Sequence, residues 1–195
     1  MPSAVFRTAA LALLLAALPL AVVAATRGGP AQPNPGRHKA EQKDGDQPIT
    51  KIGGSEGWDA YAGSDHGRKI CYLLGKPDKT EPAGAKRDPV YVSVTHRPGE
   101  KAFNVVNFNS GYLYKDDSDA ELLIDGKKFT LFTKQEGAWA NDAATDKAVV
   151  EALIKGKHAI IKGVSSRGTA TTDTYSLAGF SQAVADIDKA CGVKR

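Results

Sequence analysis

Histidine and cysteine are scarce in this chain, with four His and two Cys in 195 residues. No two of them stand at H-x-x-x-H, H-E-x-x-H or C-x-x-C spacing, so the sequence offers neither a helical zinc site nor a thiol-exchange motif. Glycine-rich phosphate loops are missing too. There is no G-x-G-x-x-G and no G-x-x-x-x-G-K-S/T, and no alternating βαβ pattern to carry either, which excludes a dinucleotide fold. No sign of charge dominates. The 26 Lys and Arg face 22 Asp and Glu, a formal +4, and acids alternate with bases instead of forming the basic stripe of a nucleic-acid binder. With 42% hydrophobic residues the chain is too apolar for wholesale disorder. No cofactor, metal or nucleic-acid partner is expected.

Long apolar runs are also absent, except at the start. Arg7 precedes Ala9 to Leu20, almost wholly Ala and Leu apart from Pro19, and Val22, Val23, Ala24 and Ala25 supply small residues for a signal peptidase. Residues 1–25 therefore read as an export signal cleaved after Ala24 or Ala25. The run is short and broken by proline, which disfavours an uncleaved anchor. The rest of the chain shows no second span, so the mature protein is expected to be exported without a membrane span: periplasmic, outer-membrane-associated or secreted.

Residues 26–57 hold Pro30, Pro33, Pro35 and Pro48 among Gly, Gln, Asn and charges. With almost nothing apolar to bury, they read as a disordered linker. The folded domain is then expected over 58–195. Its two cysteines, Cys71 and Cys191, sit in a chain sent to an oxidising compartment, and a disulfide is the natural reading.

The domain reads as strands first and helices late. Lys69 to Leu74, Val90 to His96 and Ala102 to Phe108 are β-prone segments, the second alternating Val90, Val92 and Val94 with Tyr91, Ser93 and Thr95. The sharpest signal is Glu121 to Thr133. There Asp125-Gly126 supplies the positive φ angles of a two-residue turn, pairing Leu122 with Phe129 and Ala120 with Leu131. Thr145 to Lys155 changes to helical period and stops at Gly156. Lys157 to Val164 and Thr169 to Leu177 return to strand character. Leu177, Phe180, Val184, Ile187 and Cys191 then form one stripe of a final helix. The expected fold is mainly β, an antiparallel β-sandwich with one linking helix and a C-terminal helix.

Chemistry-bearing patterns are few. Ser165 or Ser166 with His158 and Asp173 would make a nucleophilic set and a small periplasmic hydrolase, but Ser165 lacks the G-x-S-x-G elbow. The stretch Ser165-Ser166-Arg167-Gly168-Thr169, with Thr171, Thr172 and Asp173, is the most unusual polar segment. Arg167, Thr169 and Asp173 are the candidate partner-binding residues, with Arg167 as a bidentate anchor framed by hydroxyls. The competing reading pairs Arg167 with Asp173 in a solvated turn. The basic residues Arg68, Lys69, Lys76, Lys79, Lys86 and Arg87 are diluted by acids and read as a solvated face.

Several pieces together carry a resemblance: Cys71-Tyr72 with Lys76-Pro77, Val94-Thr95-His96-Arg97-Pro98, Gly111-Tyr112, Phe129-Thr130-Leu131-Phe132, Ser165-Ser166-Arg167-Gly168-Thr169, Tyr175-Ser176-Leu177-Ala178-Gly179-Phe180 and Ala190-Cys191-Gly192. In order and spacing they resemble the invasion-associated locus B family of alphaproteobacterial exported proteins, over about Trp58 to Val193. The resemblance implies an immunoglobulin-like β-sandwich behind a signal peptide and a link with host-cell invasion. It brings no catalytic residues. Some members have a further cysteine near the first tryptophan, whereas Trp58-Asp59-Ala60-Tyr61 has none. The implied function is a non-catalytic exported protein that binds an unknown envelope or host protein.

Overall fold

A computed structural model of the chain describes residues 46–195. The proposed signal peptide and residues 26–45 of the proposed linker lie outside the described residues. Eleven strands and two α-helices follow in order: β1 (Thr50–Ser55), β2 (Trp58–Asp65), β3 (Arg68–Gly75), β4 (Lys79–Glu81), β5 (Tyr91–Arg97), β6 (Ala102–Asn109), β7 (Asp119–Ile124), β8 (Lys127–Lys134), β9 (Gly137–Trp139), α1 (Ala143–Lys155), β10 (His158–Val164), β11 (Ala170–Ser176) and α2 (Phe180–Cys191).

Local turn chemistry builds most of the neighbours. Asp125 and Gly126 have φ of 45° and 88°, and they close β7 onto β8 with Ala120 opposite Leu131 and Leu122 opposite Phe129, the register expected from the sequence. Glu56-Gly57 does the same for β1 and β2, with φ of 50° and 87°. The strands form one antiparallel sheet in the order β1-β2-β3-β5-β6-β9-β8-β7-β10-β11-β4. Alternation along each strand sends one set of side chains inward. Val92, Val94, Val106 and Phe108 come from one half of the sheet, and Leu122, Leu131, Ile161 and Tyr175 from the other, all in one core.

The two halves meet through large rings. Phe108 and Tyr175 lie edge to face at 5.9 Å, and the Trp58 indole N–H donates to the Ser176 carbonyl at 3.1 Å. Gly75 is opposite Trp58, and a Cβ there would stand 2.3 Å from the indole ring, so only glycine leaves room for it. The mainly β antiparallel fold with a linking helix and a C-terminal helix is as the sequence indicated. The two faces are joined into one sheet through the three-residue β9.

Four strands were not foreseen: β1, β2, β4 and β9. β1 corrects the linker boundary, since Thr50 to Ser55 pair with Ala62 to Trp58. Nothing apolar in Thr-Lys-Ile-Gly-Gly-Ser demands burial. The segment is ordered by main-chain bonds to β2 and by the Asp186 carboxylate, which accepts the Gly54 N–H at 3.0 Å. Ordering extends back to Gln47, whose carbonyl accepts the Ser64 N–H at 3.0 Å.

α1 starts two residues before the expected point because Asp142 caps it, accepting the Thr145 N–H at 2.7 Å. α2 lays Phe180, Ala183, Val184 and Ile187 into the core, with Phe180 edge-on to Trp58 at 4.8 Å. Its last residue, Cys191, is disulfide-bonded to Cys71 of β3. Beside the bridge, fully buried His96 accepts the Asn104 N–H through Nδ1 at 3.0 Å, so Nε2 carries the proton donated to Asp188 at 2.9 Å. No helix among the described residues is long and apolar enough to cross a membrane.

Candidate functional site

Three connections converge beside the end of β10 and enclose a cleft of about 700 Å³. The β10–β11 loop brings Ser165, Ser166, Arg167 and Thr169. The segment between β4 and β5 brings Lys86, Arg87 and Asp88, and the segment after β6 brings Tyr112 and Leu113. Glu136 joins them from the turn between β8 and β9.

Main-chain bonds set this arrangement. Within the β10–β11 loop the Gly168 N–H donates to the Ser165 carbonyl at 2.8 Å and the Ser165 N–H to the Thr169 carbonyl at 2.9 Å. Across it the Ser166 N–H donates to the Leu113 carbonyl at 2.7 Å and the Lys115 N–H to the Val164 carbonyl at 2.9 Å. Gly111, at φ 67°, lets the Asp88 segment come so close that a Cβ would stand 2.1 Å from the Asp88 carbonyl.

Beneath the cleft lies an ion pair. Arg87 Nη1 and Nη2 donate to the two Asp173 carboxylate oxygens at 2.9 Å each, and Nη2 also donates to the Glu81 carbonyl at 3.1 Å. The two side chains are 6% and 3% exposed. Burial pushes the Asp173 carboxyl above the usual aspartate range, and the Arg87 fork pulls against that. The guanidinium stands 5.5 Å over the Tyr112 ring, whose hydroxyl shares a 2.5 Å hydrogen bond with Thr171 Oγ1. Burial raises the Tyr112 and Tyr114 hydroxyls above the ordinary tyrosine value, so both keep their protons.

Of the candidate residues, Arg167 and Thr169 line the cleft and are exposed. Asp173 does not reach it, because Arg87 occupies both of its oxygens. This overturns both the contact role for Asp173 and the competing Arg167–Asp173 pair. Arg167, Lys86, Asp88 and Glu136 have side chains with no ion-pair or hydrogen-bond partner among the described residues, so the rim carries two free cations and two free anions. Arg87 is the residue that sequence reasoning missed, placed with the solvated basic face. Its partner is 86 residues away, and no spacing in the chain signals that contact.

The nucleophilic set does not assemble. His158 opens β10 and Ser165 follows its end, and an extended strand separates them by about 23 Å. Ser165 Oγ accepts the Thr169 N–H at 3.2 Å. Among the described residues no group of three or more His, Cys, Asp or Glu is placed to hold a metal ion.

The family model for Invasion associated locus B protein matches residues 58–188, a span that runs from β2 almost to the end of α2 and includes every element bordering the cleft. Curated proteins and solved structures gave no match. The chain belongs to the Invasion associated locus B family.

Proposed function

We propose that this member of the Invasion associated locus B family is an exported, non-catalytic protein that captures an envelope or host partner through the cleft around Arg167. Residues 1–25 act as a cleaved export signal. The Cys71–Cys191 bridge fits an oxidising compartment, in the periplasm, at the outer membrane or outside the cell.

The observation that carries the reading is the cleft itself. Four charged side chains without partners among the described residues ring a floor of hydroxyls, above an arginine already committed to Asp173. Such a surface suits recognition of a polar group, with Arg167 as the free bidentate donor. Among the described residues Ser165 Oγ has no hydrogen bond to a histidine or a carboxylate, only the one it accepts from the Thr169 N–H.

Site-specific photo-crosslinking tests it. A crosslinker replacing Ser166, next to Arg167 on the cleft, in the exported protein is expected to give a discrete adduct, whereas one replacing Lys189 on α2 gives none. Equal labelling from both positions, or loss of biological activity in a folded Ser166→Ala or His158→Ala variant, overturns the reading. N-terminal sequencing of the exported protein should start at Ala25 or Thr26, and an intact Met1 refutes the cleaved leader.

A further inference from the structure

A second cleft, of about 480 Å³, adjoins the first across Leu113 and Glu136, which line both. Its floor is the outer face of the sheet where β6 meets β9. There Asn107 is opposite Trp139 and Asn109 opposite Gly137, while the alternate residues Phe108 and Ala138 point into the core. Tyr91, opposite Asn109 on β5, closes one side. Leu113, 56% exposed, forms the ridge between the clefts.

Gly137 explains the local geometry. A Cβ on it would stand 2.4 Å from the Trp139 indole nitrogen and 2.6 Å from Asn107 Nδ2. Because glycine has none, the indole lies across the strand with its N–H beside the Asn107 amide. Asn107 is only 7% exposed, and its Nδ2 has no hydrogen-bond partner. The indole N–H likewise has no acceptor among the described residues. One buried donor, Asn107 Nδ2, thus stands unpaired beside a Trp139 N–H that reaches solvent, next to a partly exposed indole. Buried donors are rarely left unpaired, and such an exception calls for an explanation.

We propose that this second cleft binds a pyranose ring of a glycan, the apolar C–H face of the sugar stacking on Trp139, a ring hydroxyl oxygen accepting from the Trp139 N–H, and the buried Asn107 amide turning outward to donate to the same hydroxyl as the ring seats. Asn109, Glu136 and Tyr91 stand at the rim for the remaining hydroxyls. A peptide strand fits less well. β5, β6, β9 and β8 are each flanked on both sides in the sheet, so the floor has no open edge for a main chain to join. A small apolar-faced, hydroxyl-rimmed ring matches an aromatic platform with a few placed polar groups. The inference rests on the reading of this face as a binding surface and names the chemistry of its partner. A charged substituent on the same glycan would reach the Arg167 cleft.

The test uses the mature protein with trimers of N-acetylglucosamine, glucose (β1→4) and galacturonate at millimolar concentration, read by the NMR signals of the Trp139 indole N–H and the Asn107 side-chain amide. At least one trimer is expected to shift both signals and slow their exchange with solvent. Asn107→Ala and Trp139→Ala should weaken its binding about tenfold or more, the loss expected when a charge-free hydrogen bond or a stacking face is removed. Trp139→Phe, which keeps a ring and drops the N–H, serves as the second variant if Trp139→Ala melts early, and it should bind with intermediate affinity. Arg167→Ala should leave neutral trimers unaffected and weaken only the acidic one. Signals that no trimer moves, or an indole N–H already protected by Asn107 Oδ1 in the free protein, overturn the glycan site. The Ser166 adduct can survive that result, and trimer binding can survive loss of the adduct, so the two readings fail separately.

Discussion

Arg87 and Asp173 lie 86 residues apart and meet in a two-pronged ion pair, both donor–acceptor distances 2.9 Å, with both side chains almost fully buried. The pair fastens the segment between β4 and β5 to the middle of β11. It thereby sets the position of Lys86 and Asp88 on the cleft rim and removes Asp173 from contact with any partner.

Breaking that pair should be costly. Arg87→Ala strands a buried carboxylate and is expected to destabilise the domain by about 3 to 5 kcal/mol in urea unfolding at neutral pH. The loss should shrink on acidification, because the Asp173 carboxyl, already raised by burial, then takes up a proton and no longer needs the cation. Equal loss at neutral and acidic pH would show that Arg87 acts through packing alone.

Arg167→Ala should behave in the opposite way. Its side chain has no ion-pair or hydrogen-bond partner among the described residues, so the melting temperature is expected to stay at the parent value. Partner capture should weaken by about 1 to 3 kcal/mol, the range for a lost charge-assisted hydrogen bond. A variant that melts earlier but binds normally would assign Arg167 to the turn instead.

The Cys71–Cys191 bridge closes a loop with a sequence separation of 120 and joins the end of α2 to β3. Cys71→Ser with Cys191→Ser is expected to lower stability by about 2 to 5 kcal/mol in chemical denaturation. Thiol titration of the denatured, unreduced parent should find no free thiol, and two would remove the bridge.

Asp146 gives a pH-dependent prediction with a definite sign. It lies in the first turn of α1, buried, accepting the Val106 N–H at 2.9 Å. Burial lifts its pKa to about 6, although the Val106 N–H favours the charged form. A carboxyl whose folded pKa is raised stabilises the fold below its unfolded value. It loses that contribution as pH climbs from about 4 to about 6. Asp146→Asn keeps the acceptor without the charge. It should be more stable than the parent at pH 7 by about 1 to 3 kcal/mol, and the difference should vanish below about pH 4. Parallel stability–pH curves for the two proteins would contradict this.

What the sequence determined by itself was local or additive. The Asp125-Gly126 hairpin was legible because two residues set the turn and period-2 alternation sets the register. α2 was legible because its stripe repeats within four residues. The Cys71–Cys191 bridge followed from having only two cysteines in a chain expected to be exported, and Arg167 with Thr169 stood out as a polar run in one loop. Tertiary structure decided the rest. β1, β4 and β9 carry too few apolar side chains to announce themselves and exist because neighbouring strands offer unpaired main-chain groups. The separation of His158 from Ser165 is the length of the strand between them, which a list of residue types does not contain. The Arg87–Asp173 fork and the convergence of Trp139 with Asn107 join residues whose sequence positions bear no relation to one another. Only the closing of the sheet brings them together, because both electrostatic and hydrogen-bond energies depend on distances in space.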